Sequence, residues 1–103
     1  MYEFVLLNMA KEFSDTPGGR YIKDGKFSGE AFRENLLKPK YLEAMNENKR
    51  LVILISGCYG LTASFIDESF GKLSKIVEEN IFARITFADD PVLGNKIKNM
   101  CSE

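Results

Sequence analysis

The chain has 103 residues, which is enough for one domain and too few for two. Its residues are 45% hydrophobic and 28% charged, an ordinary balance for a globular protein. The formal net charge is −1, from 14 basic and 15 acidic residues, which argues against the basic stripe typical of a nucleic-acid-binding protein. We therefore expect a single domain over residues 1–103 that does not bind nucleic acid.

The chain contains no histidine and only two cysteines, Cys58 and Cys101. This composition excludes a zinc site with the usual ligands and a Ser-His-Asp or Cys-His catalytic arrangement. We expect no metal, no cofactor and no enzymatic activity. The sequence also lacks a signal peptide and the ~18-residue apolar run that a membrane span needs. We therefore expect a cytoplasmic protein with free thiols and no membrane partner.

The first thirty residues predict a strand, a loop and a small hairpin. Residues 2–8, YEFVLLN, form an apolar run of strand length. Residues 11–20 contain Ser-Asp-Thr-Pro-Gly-Gly and predict a loop. Asp24-Gly25 lies between two short β-prone segments, which is the usual signal of a hairpin turn.

The next segment predicts a helix that begins at Ser28, a good N-cap residue. Pro39 has no amide hydrogen, so we expect the helix to kink or restart there. Asn46 and Asn48 indicate its end. The spacing of the apolar residues predicts an inward face made of Phe32, Leu36, Leu37, Tyr41, Leu42 and Met45.

The second half predicts two strands and two helices. Residues 51–55, LVILI, are continuously apolar, as in a central strand covered on both faces. Residues 82–87, FARITF, alternate as a strand, and Asp89-Asp90-Pro91 predicts the start of a last helix. Between the strands, a helix beginning near Ser64 carries an apolar stripe of Ile66, Phe70, Leu73 and Val77.

Strands that alternate with helices predict an α/β domain, here with a mixed four-stranded sheet and helices packed on it. In open α/β sheets, binding sites lie beyond the carboxyl ends of the strands. This rule indicates residues 56–60, SGCYG, and the start of the second helix as the site. Ser64 and Asp67 form a weak capping box, and Thr62 is the alternative cap. The loop lacks the Gly-Lys-Ser/Thr ending of a phosphate-binding P-loop.

Two arginines are candidates for a separate anion site. Arg20 and Arg33 could bind phosphate or carboxylate together with the Gly18-Gly19 loop, because a guanidinium makes bidentate contacts. The alternative is that both arginines pair with carboxylates of the chain itself. Cys58, near a helix start, is either an activated thiol or a bystander, and the lack of a nearby base favours the bystander.

At this point the sequence resembles a known family. Residues 51–73, LVILISGCYGLTASFIDESFGKL, are similar to the core of a STAS domain, the fold of anti-sigma-factor antagonists. The order and spacing of several short motifs also resemble a bacterial STAS-like family of unknown function, over most of the chain. These motifs are Gly18-Gly19-Arg20, Asp24-Gly25, Ser28-Gly29-Glu30, Phe32-Arg33, Ser64-Phe65 and Asp67-Glu68.

The resemblance implies a single STAS-like domain that acts as a non-enzymatic, protein-binding regulator in a partner-switching system. It implies a partner that is both a serine kinase and an anti-sigma factor, of the histidine-kinase-like ATPase type. That partner phosphorylates the start of the second helix, and the complex then dissociates. The register leaves Ala63 near the phosphoacceptor position, so Ser64 is the preferred acceptor and Thr62 the second.

A phosphoserine carries about −1.5 to −2 charges, which is enough to disrupt a docked interface. We expect repulsion from neighbouring carboxylates to add to this effect. The expected partner-binding surface is made of Ser56, Gly57, Tyr59, Gly60, Asp67 and Glu68.

Two other function classes remain as alternatives. The first is a small nucleotide- or anion-binding sensor that uses Arg20, Arg33 and the start of the second helix. The second is a small hydrolase, which the absence of histidine and of a cofactor motif disfavours.

Overall fold

The computed structural model describes residues 3–101 and shows an α/β domain built on a three-stranded parallel sheet. The strands are β1 (Phe4–Asn8), β2 (Arg50–Leu54) and β3 (Ile85–Phe87), in the spatial order β1-β2-β3. The prediction of a mixed four-stranded sheet is therefore wrong, although β2 is the central strand as expected. The first residue of the predicted first strand, Tyr2, lies outside the described residues.

The predicted hairpin is absent from the described residues, and this explains the missing strand. The segment Ile22–Asp24 forms a turn of 3-10 helix. The Asp24 carboxylate accepts a hydrogen bond from the Tyr21 amide at 3.1 Å, and the Glu30 carboxylate accepts one from the Ile22 amide at 2.9 Å. Because the flanking segments are short, these local bonds take the place of a strand pairing.

The first long helix covers residues 29–46 without interruption. It consists of an α-helical turn (Gly29–Phe32), a π-helical segment (Arg33–Leu37) and a second α-helical part (Lys38–Asn46). The predicted N-cap is confirmed, since the Ser28 hydroxyl accepts a hydrogen bond from the Ala31 amide at 3.1 Å. The helix was expected to kink or restart at Pro39, and it does not restart there. The helix instead widens just before the proline, where the Lys38 amide donates to the Arg33 carbonyl.

The second long helix covers residues 63–77 and is built in the same way. It consists of Ala63–Ile66, a π-helical segment (Asp67–Gly71) and Lys72–Val77. Its N-cap is Thr62, whose hydroxyl accepts a hydrogen bond from the Phe65 amide at 3.2 Å. The helix therefore begins before Ser64. The predicted stripe is buried at Ile66, Phe70 and Leu73 and half-buried at Val77.

The remaining elements are short helices and the last helix. A helical turn, Met9–Glu12, follows β1 and was not predicted. The predicted strand over residues 82–87 is shorter than expected, because a 3-10 turn (Ile81–Ala83) precedes β3. The last helix is Pro91–Cys101, and the Asp90 carboxylate accepts a hydrogen bond from the Leu93 amide at 3.0 Å, which confirms the acidic cap.

The core lies on one face of the sheet. The first long helix contacts β1 and β2, the second long helix packs across the first, and the last helix contacts β3 and the second long helix. The Phe70 ring joins these layers, with its centroid 5.9 Å from that of Phe32 and 5.7 Å from that of Phe87. The sheet contributes alternate residues to this core: Val5, Leu7, Leu51, Ile53, Ile85 and Phe87.

The other face of the sheet is partly open. Phe4 is 38% exposed and Leu6 is 45% exposed, whereas Val52 and Leu54 on the central strand are half-buried. The central apolar strand, expected to be covered on both faces, is thus fully covered on one face and only partly covered on the other.

Candidate functional site

The predicted site begins in the loop that follows β2, at the carboxyl edge of the sheet. Asp89, which follows β3, fixes the start of this loop. Its carboxylate accepts hydrogen bonds from the Ile55 amide at 2.9 Å, the Ser56 amide at 3.1 Å and the Ser56 hydroxyl at 2.6 Å. Burial alone would raise the pKa of Asp89, but these hydrogen bonds outweigh it and lower the pKa below its ordinary value.

The middle of the loop is attached to the segment that follows β1. The Tyr59 amide donates to the Asp15 carbonyl at 2.7 Å, and the Cys58 thiol donates to the Ser14 carbonyl at 3.5 Å. Burial, together with the charges of Asp15 and Asp89, raises the pKa of the Cys58 thiol to about 11. The thiol is therefore protonated at neutral pH, which favours the bystander role over that of a nucleophile.

This anchoring leaves the Tyr59 side chain free to project into solvent, where it is 70% exposed. Ser56, Gly57 and Gly60 on the same loop are also exposed. The structure thus brings four of the six predicted partner-binding residues together as one surface beyond the end of the central strand. An exposed tyrosine on an anchored loop is the kind of residue that contributes strongly to protein interfaces.

The two candidate phosphoacceptors lie side by side at the start of the second long helix. The Oγ of Ser64 is 3.3 Å from the Oγ1 of Thr62. Thr62 is exposed, and its hydroxyl oxygen caps the helix. Ser64 is half-buried, and among the described residues its hydroxyl makes no hydrogen bond to the backbone. Ala63, between them, is exposed. The cap is thus formed by Thr62, the alternative that the sequence left open, and the phosphoacceptor role of either residue stays a prediction.

The other two predicted partner-binding residues, Asp67 and Glu68, are held by the two arginines predicted to bind an anion. Arg20 Nη1 lies 2.6 Å from Asp67 Oδ2 and 3.5 Å from Glu68 Oε1. Arg33 Nη1 lies 2.8 Å from Glu68 Oε2. The carboxylates are thus largely neutralised, so the repulsion expected between them and a phosphate on Ser64 is reduced.

The pKa directions agree with this pairing. The hydrogen bond to Asp67 is the main cause that raises the pKa of Arg20. For Arg33, burial acts to lower the pKa, but hydrogen bonds to Glu34 and Glu68 outweigh it and the pKa is raised. The hydrogen bond from Arg33 also lowers the pKa of Glu34. Both arginines are therefore occupied by carboxylates of the chain, which is the alternative left open for them, and an anion-binding role for them stays a prediction.

A close crossing of the two long helices underlies this network. A side chain at Gly29 would place its Cβ 2.6 Å from the Phe65 carbonyl oxygen, so only glycine fits there. One turn later, the buried Arg33 also donates to the Glu68 carbonyl at 2.6 Å. This buried ion pair between Arg33 and Glu68 was not predicted from the sequence. A glycine in the first turn of a helix, with an arginine four residues later on the same face, was the available signal.

Two negative findings apply to residues 3–101. No group of three or more Cys, Asp or Glu side chains is arranged to hold a metal ion. No helix in this part of the chain combines the length and apolar character needed to cross a membrane.

Comparison with known proteins gives one result. Residues 28–90 match a family described as the STAS-like domain of unknown function (DUF4325). No curated protein and no solved structure shows a significant match. The matched region contains both long helices, β2, β3 and the whole loop from Ser56 to Thr62. Because it spans more than half of the chain, the protein belongs to the family of STAS-like domains.

Proposed function

We propose that this domain is a non-enzymatic, protein-binding regulator whose partner docks on the surface of residues 56–68. The observation that supports this proposal most is the exposed Tyr59 on a loop held at its start by Asp89 and at its middle by the segment of Asp15. An anchored loop loses little conformational entropy on binding, so an aromatic side chain on it is a favourable contact. Membership of the STAS-like family supports a regulatory role over a catalytic one.

The partner that fits best is a serine kinase and anti-sigma factor of the histidine-kinase-like ATPase type, acting in a cytoplasmic partner-switching system. Ser64 is the preferred phosphoacceptor and Thr62 the second. The half-buried Ser64 has no capping role that a phosphate would remove, which supports this order. A phosphate at this position would add about −1.5 to −2 charges to the proposed docking surface and would oppose docking.

The proposal is tested by recovering the partner and then rebuilding the complex from purified components. The tagged domain is incubated with lysate of its native host in the presence of ADP, and retained proteins are identified by mass spectrometry. We expect an ATPase of the kinase type to be retained by the wild type and released by Ser64→Glu. The matched control is Ser74→Glu, which places the same charge on the same helix more than two turns away and should retain the partner.

A second pair of variants tests the surface without the charge. Tyr59→Ala should weaken binding of the purified partner by tenfold or more, as expected for a central aromatic contact worth about 2 kcal/mol. Val92→Ala, at a residue that is 73% exposed on the last helix, should leave the affinity unchanged. Equal affinities of Tyr59→Ala and wild type would refute the proposed docking surface.

A further inference from the structure

The opposite edge of the sheet contains a basic cleft that the proposed docking surface does not use. It lies at the amino ends of β2 and β3 and encloses about 300 Å³. The cations on its walls are Lys49, Arg50 and Arg84, and the side-chain amides of Asn48 and Asn80 add hydrogen-bond donors. The remaining lining residues are Tyr41, Glu79 and Ala83.

The two arginines of this cleft differ in one respect from Arg20 and Arg33. Within residues 3–101, neither Arg50 nor Arg84 forms an ion pair. Arg50 donates through its Nε to the Thr86 hydroxyl, and Arg84 donates through its Nη1 to the Lys49 carbonyl at 3.1 Å. The two guanidinium groups are therefore held in position by neutral acceptors.

Arg84 carries a further unsatisfied donor. Its Nε is buried and has no hydrogen-bond partner among the described residues. Buried donors of this kind are uncommon, and each one calls for an explanation such as a ligand or ion at the site. The backbones of the two arginines are adjacent, because the amide of Leu51, the residue after Arg50, donates to the Arg84 carbonyl at 3.0 Å.

One carboxylate, that of Glu79, lines the cleft, and it accepts the hydrogen bond of the Tyr41 hydroxyl. Burial and this contact with Glu79 raise the pKa of Tyr41 to about 12 against the opposing effect of Arg84, so the phenol stays protonated and adds no negative charge. Lys49 pairs with Glu47 at 2.8 Å, so Arg50 and Arg84 are the lining cations without an ion pair, and these two outnumber the single lining carboxylate.

We propose that this cleft binds a phosphate group, either inorganic phosphate or a small phosphate monoester, between Arg50 and Arg84. Two guanidinium groups and two side-chain amides offer more donors than the two oxygens of a carboxylate can accept, whereas a phosphate has enough acceptor oxygens. The volume of the cleft suits a small ligand. The sequence indicated Arg20 and Arg33 as a candidate anion site. The proposed phosphate site instead uses Arg50 and Arg84, which form no ion pair within residues 3–101.

The test is an NMR titration of the ¹⁵N-labelled full chain with sodium phosphate, with sodium acetate and sodium chloride at matched ionic strength as comparisons. We expect the amide signals of Arg50, Asn80 and Arg84 to move with phosphate and to saturate. Acetate and chloride should not saturate these signals. Arg84→Gln and Arg50→Gln should each weaken phosphate binding by roughly tenfold or more, because each removes a charge-assisted contact.

The matched control is Arg20→Gln, which removes the same charge outside the cleft, at a residue paired with the second long helix, and should leave phosphate binding unchanged. If Arg84→Gln fails to fold, Arg50→Gln still decides the question, because the Arg50 residue is exposed. Shifts that map to Arg20 and Arg33, shifts that never saturate, or equal saturation by acetate would each overturn the proposal.

Discussion

Arg33 and Glu68 form a buried contact in which the guanidinium of one residue holds both the carboxylate and the backbone carbonyl of the other. The Nη1 atom of Arg33 is 2.8 Å from Glu68 Oε2 and 2.6 Å from the Glu68 carbonyl oxygen. Both side chains are largely excluded from water, at 8% and 11% exposure. The pair joins the π-helical segments of the two long helices.

Removing one partner of this pair should lower the free energy of unfolding more than removing both partners. We expect Arg33→Leu or Glu68→Leu to destabilise the fold by up to about 3 kcal/mol, because each removes the buried partner of a buried charge and leaves it only a more exposed one, Arg20 for Glu68 or Glu34 for Arg33. The double variant should lose less than either single one. Urea unfolding monitored by circular dichroism measures these differences, and Glu47→Gln in the exposed pair with Lys49 should change stability by less than about 1 kcal/mol. Additive losses in the double variant would contradict this account.

Gly29→Ala should destabilise the helix crossing. The new Cβ would lie 2.6 Å from the Phe65 carbonyl oxygen, so the helices must move apart, at a cost of about 1–3 kcal/mol. In an open position the same change in a helix would stabilise it. The control is Gly18→Ala, where a Cβ would meet no atom within 4 Å. Thermal unfolding compares the two, and equal melting temperatures would show that the crossing is not tight.

A comparison of Thr62→Ala with Ser64→Ala should show which of the two hydroxyls caps the second long helix. Thr62 accepts the hydrogen bond of the Phe65 amide, so its loss should cost about 1 kcal/mol. Ser64→Ala removes no bond to the backbone and should cost less than about 0.5 kcal/mol. Urea unfolding of the two variants gives the order directly. The reverse order would mean that Ser64 is the cap, and that a phosphate there would disturb the helix itself.

The stability contributed by Asp89 should depend on pH. Its pKa in the folded chain lies below the ordinary value of 3.8, because the hydrogen bonds from Ser56 and Ile55 favour the carboxylate over the effect of burial. This contribution is therefore present above about pH 4 and disappears as the pH falls through the folded-state pKa. The free energy of unfolding of Asp89→Asn should be lower than that of wild type at pH 7, and the difference between the two should be smaller near pH 3.

Urea unfolding at both pH values measures that gap. Glu43→Gln, on the exposed side of the first long helix, serves as the control and should show a small difference from wild type at either pH. A gap for Asp89→Asn that widens on acidification would show that the carboxylate is not the group that holds the loop after β2.

Local signals in the sequence predicted local structure well. The Ser28 cap, the Asp90 cap and the stripe from Ile66 to Leu73 are confirmed, because each depends on residues within a few positions of one another. The place of residues 51–55 at the centre of the sheet was also predictable, since a continuous apolar run is typical of a central strand.

The wrong or missing predictions concern contacts between residues that lie outside one element of secondary structure. Asp24-Gly25 predicted a hairpin, but the Glu30 carboxylate draws the segment toward the first long helix. The pairing of Arg33 with Glu68 joins residues 35 positions apart, and the local signal of Gly29 followed by Arg33 marks a close crossing without identifying the partner. The hydrogen bonds that the Asp89 carboxylate accepts from the loop after β2 likewise depend on β3 lying beside β2.

The all-parallel sheet also has a kinetic consequence. Phe4 pairs with Arg50 and Leu51 with Ile85, so a whole long helix separates the partners of each strand pair in the sequence. No pair can grow outward from a tight turn, and each must close a long segment of chain before its first contact forms. Loop closure of this kind slows folding. The crossing of the two helices at Gly29 and Phe65 is therefore a natural early contact, because it brings all three strands within reach of one another.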